Sequence, residues 1–538
     1  LYLIGVTIIL LIVAVFIEKH YDLSTWQLLL VYLIPYLLIG HETLGEAAEG
    51  IAKGDMFNEH FLMAIATIGA LCIGFFPGAE TEFPEAVFVM LFFQVGELFE
   101  GYAEGKSRDS ISHLMDIRLD VANVIRNKEV QSVAPDTVKI GESILIKRGE
   151  KIPLDGIVTE GSALLDTVAL TGESVPRAIK EGEEIYSGCI NLKGELKVRT
   201  TKSFGESTAS KIIALVESAD KNKSKSEAFI TRFARIYTPI VVFAALALAI
   251  IPPILGAMGI AISMMGGGTF GENFPLWLNR ALIFLVVSCP CALVISVPLT
   301  FFGGIGGASR NGILIKGSNY MDALAKIGTV VFDKTGTLTH GEVLVQAYEG
   351  APVVVNDGIK EGSAEAVRCL KTLGVKKTVM LTGDHEEIGK KVAGQVGVDE
   401  YYAELLPADK VTHLEELLKM KPAGKTLAYV GDGINDAPVL KRADVGIAMG
   451  ALGSDAAIDA ADVVLMDDDP RKIALAMKIA RHTIHVAHEN VVFAIGVKVA
   501  VLILATVGLG TMWMAVFADV GVTVLAVLNA MRTLKKKR

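Results

Sequence analysis

Asp333 ends an apolar run, Thr329-Val330-Val331-Phe332, and opens the heptapeptide Asp333-Lys334-Thr335-Gly336-Thr337-Leu338-Thr339. A carboxylate at the end of a buried strand, followed by a glycine-containing turn, can attack a phosphoryl group and become an aspartyl phosphate. Two more acidic motifs follow strand-like runs: Thr382-Gly383-Asp384 after Thr378–Leu381, and Gly431-Asp432-Gly433-Ile434-Asn435-Asp436 after Leu427–Val430. Either one alone is an ordinary turn more often than a site. In a parallel sheet, however, loops that follow neighbouring strands converge at one edge. Phosphoryl transfer needs a nucleophile, a metal to neutralise phosphate charge and donors to the equatorial oxygens.

A second chemistry lies in the apolar parts of the chain. Ser288-Cys289-Pro290-Cys291-Ala292 interrupts an apolar helix. The proline removes a backbone hydrogen bond and opens the helix. Two thiolates beside the break make a soft site suited to Zn2+, Cd2+, Pb2+ or Cu+, although a cysteine pair in a span is as often a packing detail. Lys498 and Asp519 sit in the otherwise apolar runs Ile495–Ala505 and Val516–Val524. Ionisable groups at membrane depth are costly and are usually paired or functional. Asp519 would complete a site with Cys289 and Cys291, and Lys498 could pair with Asp519 or compete for it. A purely structural pair is the alternative. Glu173, in Leu170-Thr171-Gly172-Glu173-Ser174-Val175-Pro176, is placed by a tight turn that suits a general base, but the peptide alone reads as a surface β-turn.

The elements that carry these groups follow from composition. The 538 residues are 51% hydrophobic, and mean hydropathy is +0.47, above what a water-soluble protein needs. Charge is concentrated in two blocks, from Tyr102 to Arg235 and from Arg310 to His488. Apolar stretches near the roughly 20 residues needed to cross a bilayer occur at Tyr2–Ile17, Trp26–Gly40, Phe61–Phe76, Pro84–Phe99, Tyr237–Met258, Leu278–Phe302, Val486–Gly508 and Met512–Met531. Eight spans place both termini on one side, and Lys535-Lys536-Lys537-Arg538 marks that side, with both polar blocks, as cytoplasmic. Leu1–Ile17 reads as a membrane helix and not as a signal peptide. His41–Asn58 reads as an amphipathic interfacial helix. The net charge of −9 comes with no basic stripe for nucleic acid, and five scattered cysteines exclude a disulfide framework.

The first polar block alternates short β-like runs with turns, at Ala122–Arg126, Ser143–Lys147, Gly156–Glu160 and Glu195–Thr200, and predicts a mostly β domain. The second alternates strands (Thr329–Phe332, Thr378–Leu381, Leu427–Val430, Val445–Ala448, Val463–Leu465) with helices such as Gly362–Leu373 and Lys410–Lys419. That pattern predicts a parallel α/β sheet.

With its partner motifs, Asp333-Lys334-Thr335-Gly336-Thr337 resembles the phosphorylation signature of P-type ATPases, within the haloacid-dehalogenase-like superfamily. Thr171-Gly172-Glu173 resembles their actuator loop, and Cys289-Pro290-Cys291 the P1B heavy-metal class. Asn490, Lys498 and Asp519-Val520-Gly521 look like its zinc/cadmium/lead subclass, without the Tyr-Asn and Met-Ser pairs of the Cu+ subclass. The resemblance implies an eight-span α-helical membrane protein with a β actuator domain and a haloacid-dehalogenase-like phosphorylation domain. It assigns Asp333 as nucleophile and places Mg2+ on Asp333, Asp432 and the Thr335 carbonyl. Thr382 and Gly383 become phosphoryl donors and Lys410 the fixed positive charge, with Lys334, Asp384, Asn435 and Asp436 completing the site. Glu173 positions water, Cys289, Cys291 and Asp519 hold the transported ion, Lys498 is its counter-charge, and Glu85 lines the exit path. The loop Phe75–Phe83 before Glu85 departs from the shorter Gly-Glu-containing loop of the family.

The implied domains are membrane helices at 1–104, actuator and linkers at 105–232, helices five and six at 233–304, phosphorylation domain at 305–483, and the last two helices with a basic tail at 484–538. One departure is large. The nucleotide-binding domain expected after Thr339 is missing between 340 and 357, and no histidine is followed by proline. The implied activity is ATP-driven export of Zn2+, Cd2+ or Pb2+ by a monomer in a bacterial inner membrane, with no nucleic-acid or protein partner. A Cu+ pump, a metal-binding membrane protein without turnover and a soluble-type phosphatase are the alternatives.

Overall fold

The structure is a computed structural model that describes residues 2–54, 59–76, 81–115, 121–126, 129–167, 176–210, 225–258, 270–288, 291–341, 344–346, 354–356, 358–432, 436–450 and 459–534. The chain divides into two units, one of residues 1–106, 226–300 and 486–532, the other of 107–225, 301–485 and 533–538.

The first unit is helical. It contains α1 (Tyr2–His20), α2 (Thr25–Lys53), α3 (Glu59–Ile73) and most of α4 (Phe83–Met115). It also holds most of α5 (Lys225–Ala257), α6 (Phe270–Val287) and the first half of α7 (Cys291–Ser309). Among the described residues, six helical stretches are long and apolar enough to cross a membrane: α1, α2, Tyr237–Ala257, Asn273–Ser309, Arg471–Val507 and Met512–Leu534. Among the eight expected spans, the third corresponds to α3, which has 15 residues, and the fourth to α4, which carries Glu85, Glu97 and Glu100. Outward faces expose Ile12, Phe243, Ile503 and Leu528, the pattern of helices that meet lipid. Inward, Tyr32, Tyr36 and Ile39 pack with Phe83 and Met90, while Leu62, Val89, Leu282 and Val286 form another core.

α2 starts where Gln27 Oε1 accepts from the Ser24 amide (3.0 Å) and ends at Gly54, whose φ of 81° suits the left-handed C-cap. It runs unbroken through Gly40, so the segment read as an amphipathic continuation of the second span belongs, up to Lys53, to the same helix. No proline lies between Gly40 and Lys53.

The second unit holds two kinds of sheet. In the mostly β part, β1 (Ala122–Arg126), β2 (Glu129–Val133), β3 (Ser143–Ile146), β4 (Gly156–Gly161), β7 (Glu184–Ile185) and β9 (Leu196–Thr200) form an antiparallel sheet in the order β2-β1-β3-β9-β4-β7. A smaller sheet joins β5 (Ala163–Asp166), β6 (Arg177–Ile179) and β8 (Ile190–Lys193). The buried Asp155 carboxylate is fully engaged, accepting from the amide and hydroxyl of both Ser187 and Thr208.

The α/β part has seven strands in the order β10-β18-β17-β16-β11-β14-β15. They are β10 (Ile313–Ile315), β11 (Ile327–Asp333), β14 (Lys377–Leu381), β15 (Glu400–Tyr402), β16 (Thr426–Gly431), β17 (Val445–Ala448) and β18 (Val463–Leu465). All neighbours are parallel except the edge pair β10–β18. Its helices are α8 (Ser318–Ala325), α9 (Ser363–Thr372), α10 (Glu386–Val396), α11 (Pro407–Met420) and α12 (Ala437–Arg442), and α13 (Arg471–Val507) begins there. Every residue of β11 is buried, as a central strand requires.

Candidate phosphoryl-transfer and cation sites

Register brings the three acidic motifs together. Asp333 pairs with Leu381, the residue before Thr382, and Phe332 pairs with Val430, two residues before Asp432. All three loops therefore leave the carboxyl edge of adjacent parallel strands, where open α/β sheets bind their ligands. Lys410, in the first turn of α11, reaches that edge. Its ammonium lies 2.5 Å from Asp333 Oδ1 and 3.1 Å from Asp436 Oδ1. Gly336 has φ 71°, and a Cβ there would stand 3.1 Å from Asp432 Oδ2, so the phosphorylation loop and the Asp432 loop touch. Lys334 turns to Asp384 (2.5 Å), and the buried Thr382 hydroxyl accepts from the Asp384 amide (3.1 Å).

Burial and then the neighbouring Asp436 push the Asp333 carboxyl up to about 7; Lys410 opposes this and Asp432 adds to it. Burial lowers the Lys410 ammonium, but Asp333 and Asp436 outweigh it and hold it above the ordinary lysine value. Asp333, Asp432, Asp436 and the Thr335 carbonyl are hard oxygen donors of the class Mg2+ accepts. One ammonium among three carboxylates leaves negative charge that a divalent cation would balance, so the donor set fits Mg2+.

Between Thr339 and Ile359, which pair as an isolated antiparallel bridge, the chain makes a two-stranded hairpin of β12 (Leu344–Gln346) and β13 (Val354–Asn356). The His340 amide donates to Gly358 O (2.9 Å) and the Lys360 amide to Leu338 O (3.0 Å), which closes the base of the hairpin. Lys360 was not legible as a site residue. Its buried ammonium donates to the Gly336 carbonyl and pairs with Asp468 Oδ1 at 2.6 Å.

In the helical unit, α6 ends at Val287 and α7 begins at Cys291; Cys289 and Pro290, where the sequence places the break in the sixth span, lie outside the described residues. Beyond α13, the last span comprises α14 (Met512–Val516), a π-helical turn over Phe517–Gly521, and α15 (Val522–Ala530). Asp519 lies in the π-turn, a distortion often found at functional sites. Lys498 pairs with Asp519 Oδ1 at 2.7 Å and donates to Val287 O at 3.1 Å. Both side chains are buried. An interrupted helix leaves carbonyls without intrahelical partners, and a cation at a helix C-terminus satisfies them. Two turns earlier on α13, Asn490 donates to Ala526 O (3.0 Å) and accepts from Asn529 (2.9 Å). Glu85 is in the first turn of α4, near Glu18 and Tyr32, whose hydroxyl donates to the Glu18 carboxylate. Glu173, Asn435, Cys289 and the side chain of Cys291 lie outside the described residues.

An aspartate of this kind at the edge of a haloacid-dehalogenase-like sheet, in one chain with a β-domain and membrane helices, defines the P-type ATPase class. Residues 117–217 match the P-type ATPase actuator domain, and residues 345–444 the haloacid dehalogenase-like hydrolases. The chain is 44% identical over 603 aligned positions to the cadmium, zinc and cobalt-transporting ATPase of Bacillus subtilis, covering 94% of this chain and 83% of that protein. It is 45% identical to the zinc-transporting ATPase of Synechocystis sp. (93% and 80% covered). Among solved structures, a zinc-transporting PIB-type ATPase in the E2.Pi state aligns over 99% of both chains with TM-score 0.55 and 29% identity. The chain belongs to the P-type ATPase family, in the PIB branch of these cadmium- and zinc-transporting relatives, and is a multi-pass membrane protein. The Bacillus alignment of 603 positions exceeds the 538 residues here, so at least 65 positions of that relative have no counterpart in this chain.

Proposed function

We propose that this protein exports Zn2+ and Cd2+ by a phosphorylation cycle on Asp333. The observation that carries the reading is the convergence of Asp333, Lys410, Asp436 and Asp432 at one sheet edge, in a chain that also buries Lys498 against Asp519 at the end of α6. Eight spans, with both termini and the polar blocks in the cytoplasm, are the topology we infer. Pb2+ fits the same soft ligands, and cobalt appears in the name of the Bacillus relative.

In this reading, an Asp333 oxygen attacks the γ-phosphorus of ATP, the bond to the bridging oxygen breaks, and ADP leaves with the electron pair. Lys410 holds Asp333 in place and offsets charge on the transferred group. Thr382 and Gly383 donate to the phosphoryl oxygens. Asp333, Asp432 and the Thr335 carbonyl would hold Mg2+, which when bound neutralises phosphoryl charge. Glu173 then takes a proton from a water that attacks phosphorus and releases phosphate and the free Asp333 carboxylate. Cys289, Cys291 and Asp519 take the cation from the cytoplasm. Lys498 reclaims Asp519 as the ion departs, and Glu85 receives it on the exit side.

The short hairpin between Thr339 and Ile359 supports one refinement. With no room for a nucleotide-binding domain between 340 and 357, this chain binds ATP with less than the family's normal affinity, and a small donor such as acetyl phosphate can also supply the phosphoryl group to Asp333. The test is 65Zn2+ uptake into inside-out vesicles driven by ATP or acetyl phosphate. Uptake lost on Asp333→Asn and on Asp519→Ala is expected. Cu+ uptake that survives Asp519→Ala would point to a Cu+-type site, and zinc binding without any driven uptake to a protein that binds metal without turnover.

A further inference from the structure

Lys360 holds a buried charge to which the phosphorylation cycle gives no role. Its side chain is 3% exposed, a costly place for an ammonium unless every donor is used well. Its carboxylate partner, Asp468, is 53% exposed, so an ion pair alone could have formed at the surface. The same ammonium also donates to the Gly336 carbonyl, and both bonds are part-buried.

That carbonyl belongs to the least constrained residue of the loop. Gly336 sits at φ 71°, where only glycine is unstrained, and it abuts Asp432. Because the peptide unit is planar, holding its carbonyl fixes the plane joining Gly336 to Thr337. Backbone bonds hold the approach to the same place: the Lys360 amide donates to Leu338 O (3.0 Å), and Ser363 Oγ donates there too (3.0 Å). Asp468 in turn lies close to Gly450, at φ 59°, where a Cβ would stand 2.9 Å from Asp468 Oδ1.

We infer that Lys360 is a positioning residue for the phosphorylation loop, tying the Gly336 turn to the Asp468 loop and so keeping it against Asp432, which with the Thr335 carbonyl would hold Mg2+. This rests on the reading of Asp333 as the phosphorylated residue. A lysine that only satisfies its own burial would lower stability when replaced and leave ion dependence unchanged.

The full chain in lipid nanodiscs is labelled with 32P inorganic phosphate across a Mg2+ series, and the Mg2+-induced rise in Tm of the unlabelled protein is measured in parallel. Groups that orient metal ligands change affinity by about 10- to 100-fold when removed, so Lys360→Met should raise the Mg2+ needed for half-maximal label by about tenfold or more. It should also shift the Mg2+ dependence of Tm. Lys360→Arg, which can still donate to the carbonyl, should restore most of both. Asp468→Asn should fall between. Wild-type Mg2+ dependence in Lys360→Met, or equal impairment in Lys360→Arg and Lys360→Met, overturns the inference. If Lys360→Met does not accumulate, unchanged Mg2+ dependence in Asp468→Asn overturns it. Absence of label in the wild type would count against Asp333 as nucleophile, and the inference would then be decided by the Mg2+ dependence of Tm.

Discussion

At the residue scale, the Lys498–Asp519 pair is where electrostatics and transport meet. Removing one partner of a buried ion pair leaves an uncompensated charge and costs about 3–5 kcal/mol. Lys498→Met should therefore lower the Tm of the zinc-free protein markedly, and saturating Zn2+ should recover much of the loss by occupying Asp519. A variant whose Tm deficit is the same with and without Zn2+ would show that Asp519 does not meet the ion. Gly336→Ala tests the other site. The left-handed conformation costs a residue with a Cβ about 1–2 kcal/mol, and the added methyl presses on Asp432. Phosphorylation should slow by about tenfold, since 1.36 kcal/mol of barrier is a factor of ten. A rate within twofold of wild type would mean that the loop has slack which the structure does not show.

At the scale of elements, the Arg126–Glu142 pair joins β1 to the turn before β3, with two hydrogen bonds of 2.8 and 2.9 Å. The hydrogen bonds from Arg126 and then from the Lys139 amide hold Glu142 at about 2, below the usual carboxylate range. A depressed folded-state value contributes stability above the unfolded value, near 4.5, that is lost as pH falls toward 2. Glu142→Gln should flatten the acid limb of Tm against pH between those values. The apolar runs of the α/β part were legible as strands: Val445–Ala448 and Val463–Leu465 match the predicted bounds, and β11, β14 and β16 extend theirs by one to three residues. β10 was not, because three apolar residues after a membrane helix carry no period, and β2 was missed because its residues are largely exposed. Lys360 and the Val287 carbonyl were unreadable for a common reason. Their partners lie 24, 108 and 211 residues away in sequence, and neither local pattern nor composition reports such pairings.

At the scale of the molecule, a pump must make the phosphate site and the cation site answer to each other. Coupling between two ligands is reciprocal: if bound zinc disfavours the state that accepts inorganic phosphate, phosphate disfavours zinc by the same factor. Labelling by inorganic phosphate, the reverse of hydrolysis, needs no nucleotide domain and so is insensitive to the short hairpin after Thr339. The most direct measurement is acid-stable label from 32P inorganic phosphate in wild type, Asp333→Asn and Asp519→Ala, with and without Zn2+. The account predicts label in zinc-free wild type, none in Asp333→Asn, suppression by Zn2+ in wild type, and label in Asp519→Ala that Zn2+ no longer suppresses. Label that persists in Asp333→Asn, or that ignores Zn2+ in the wild type, would contradict it.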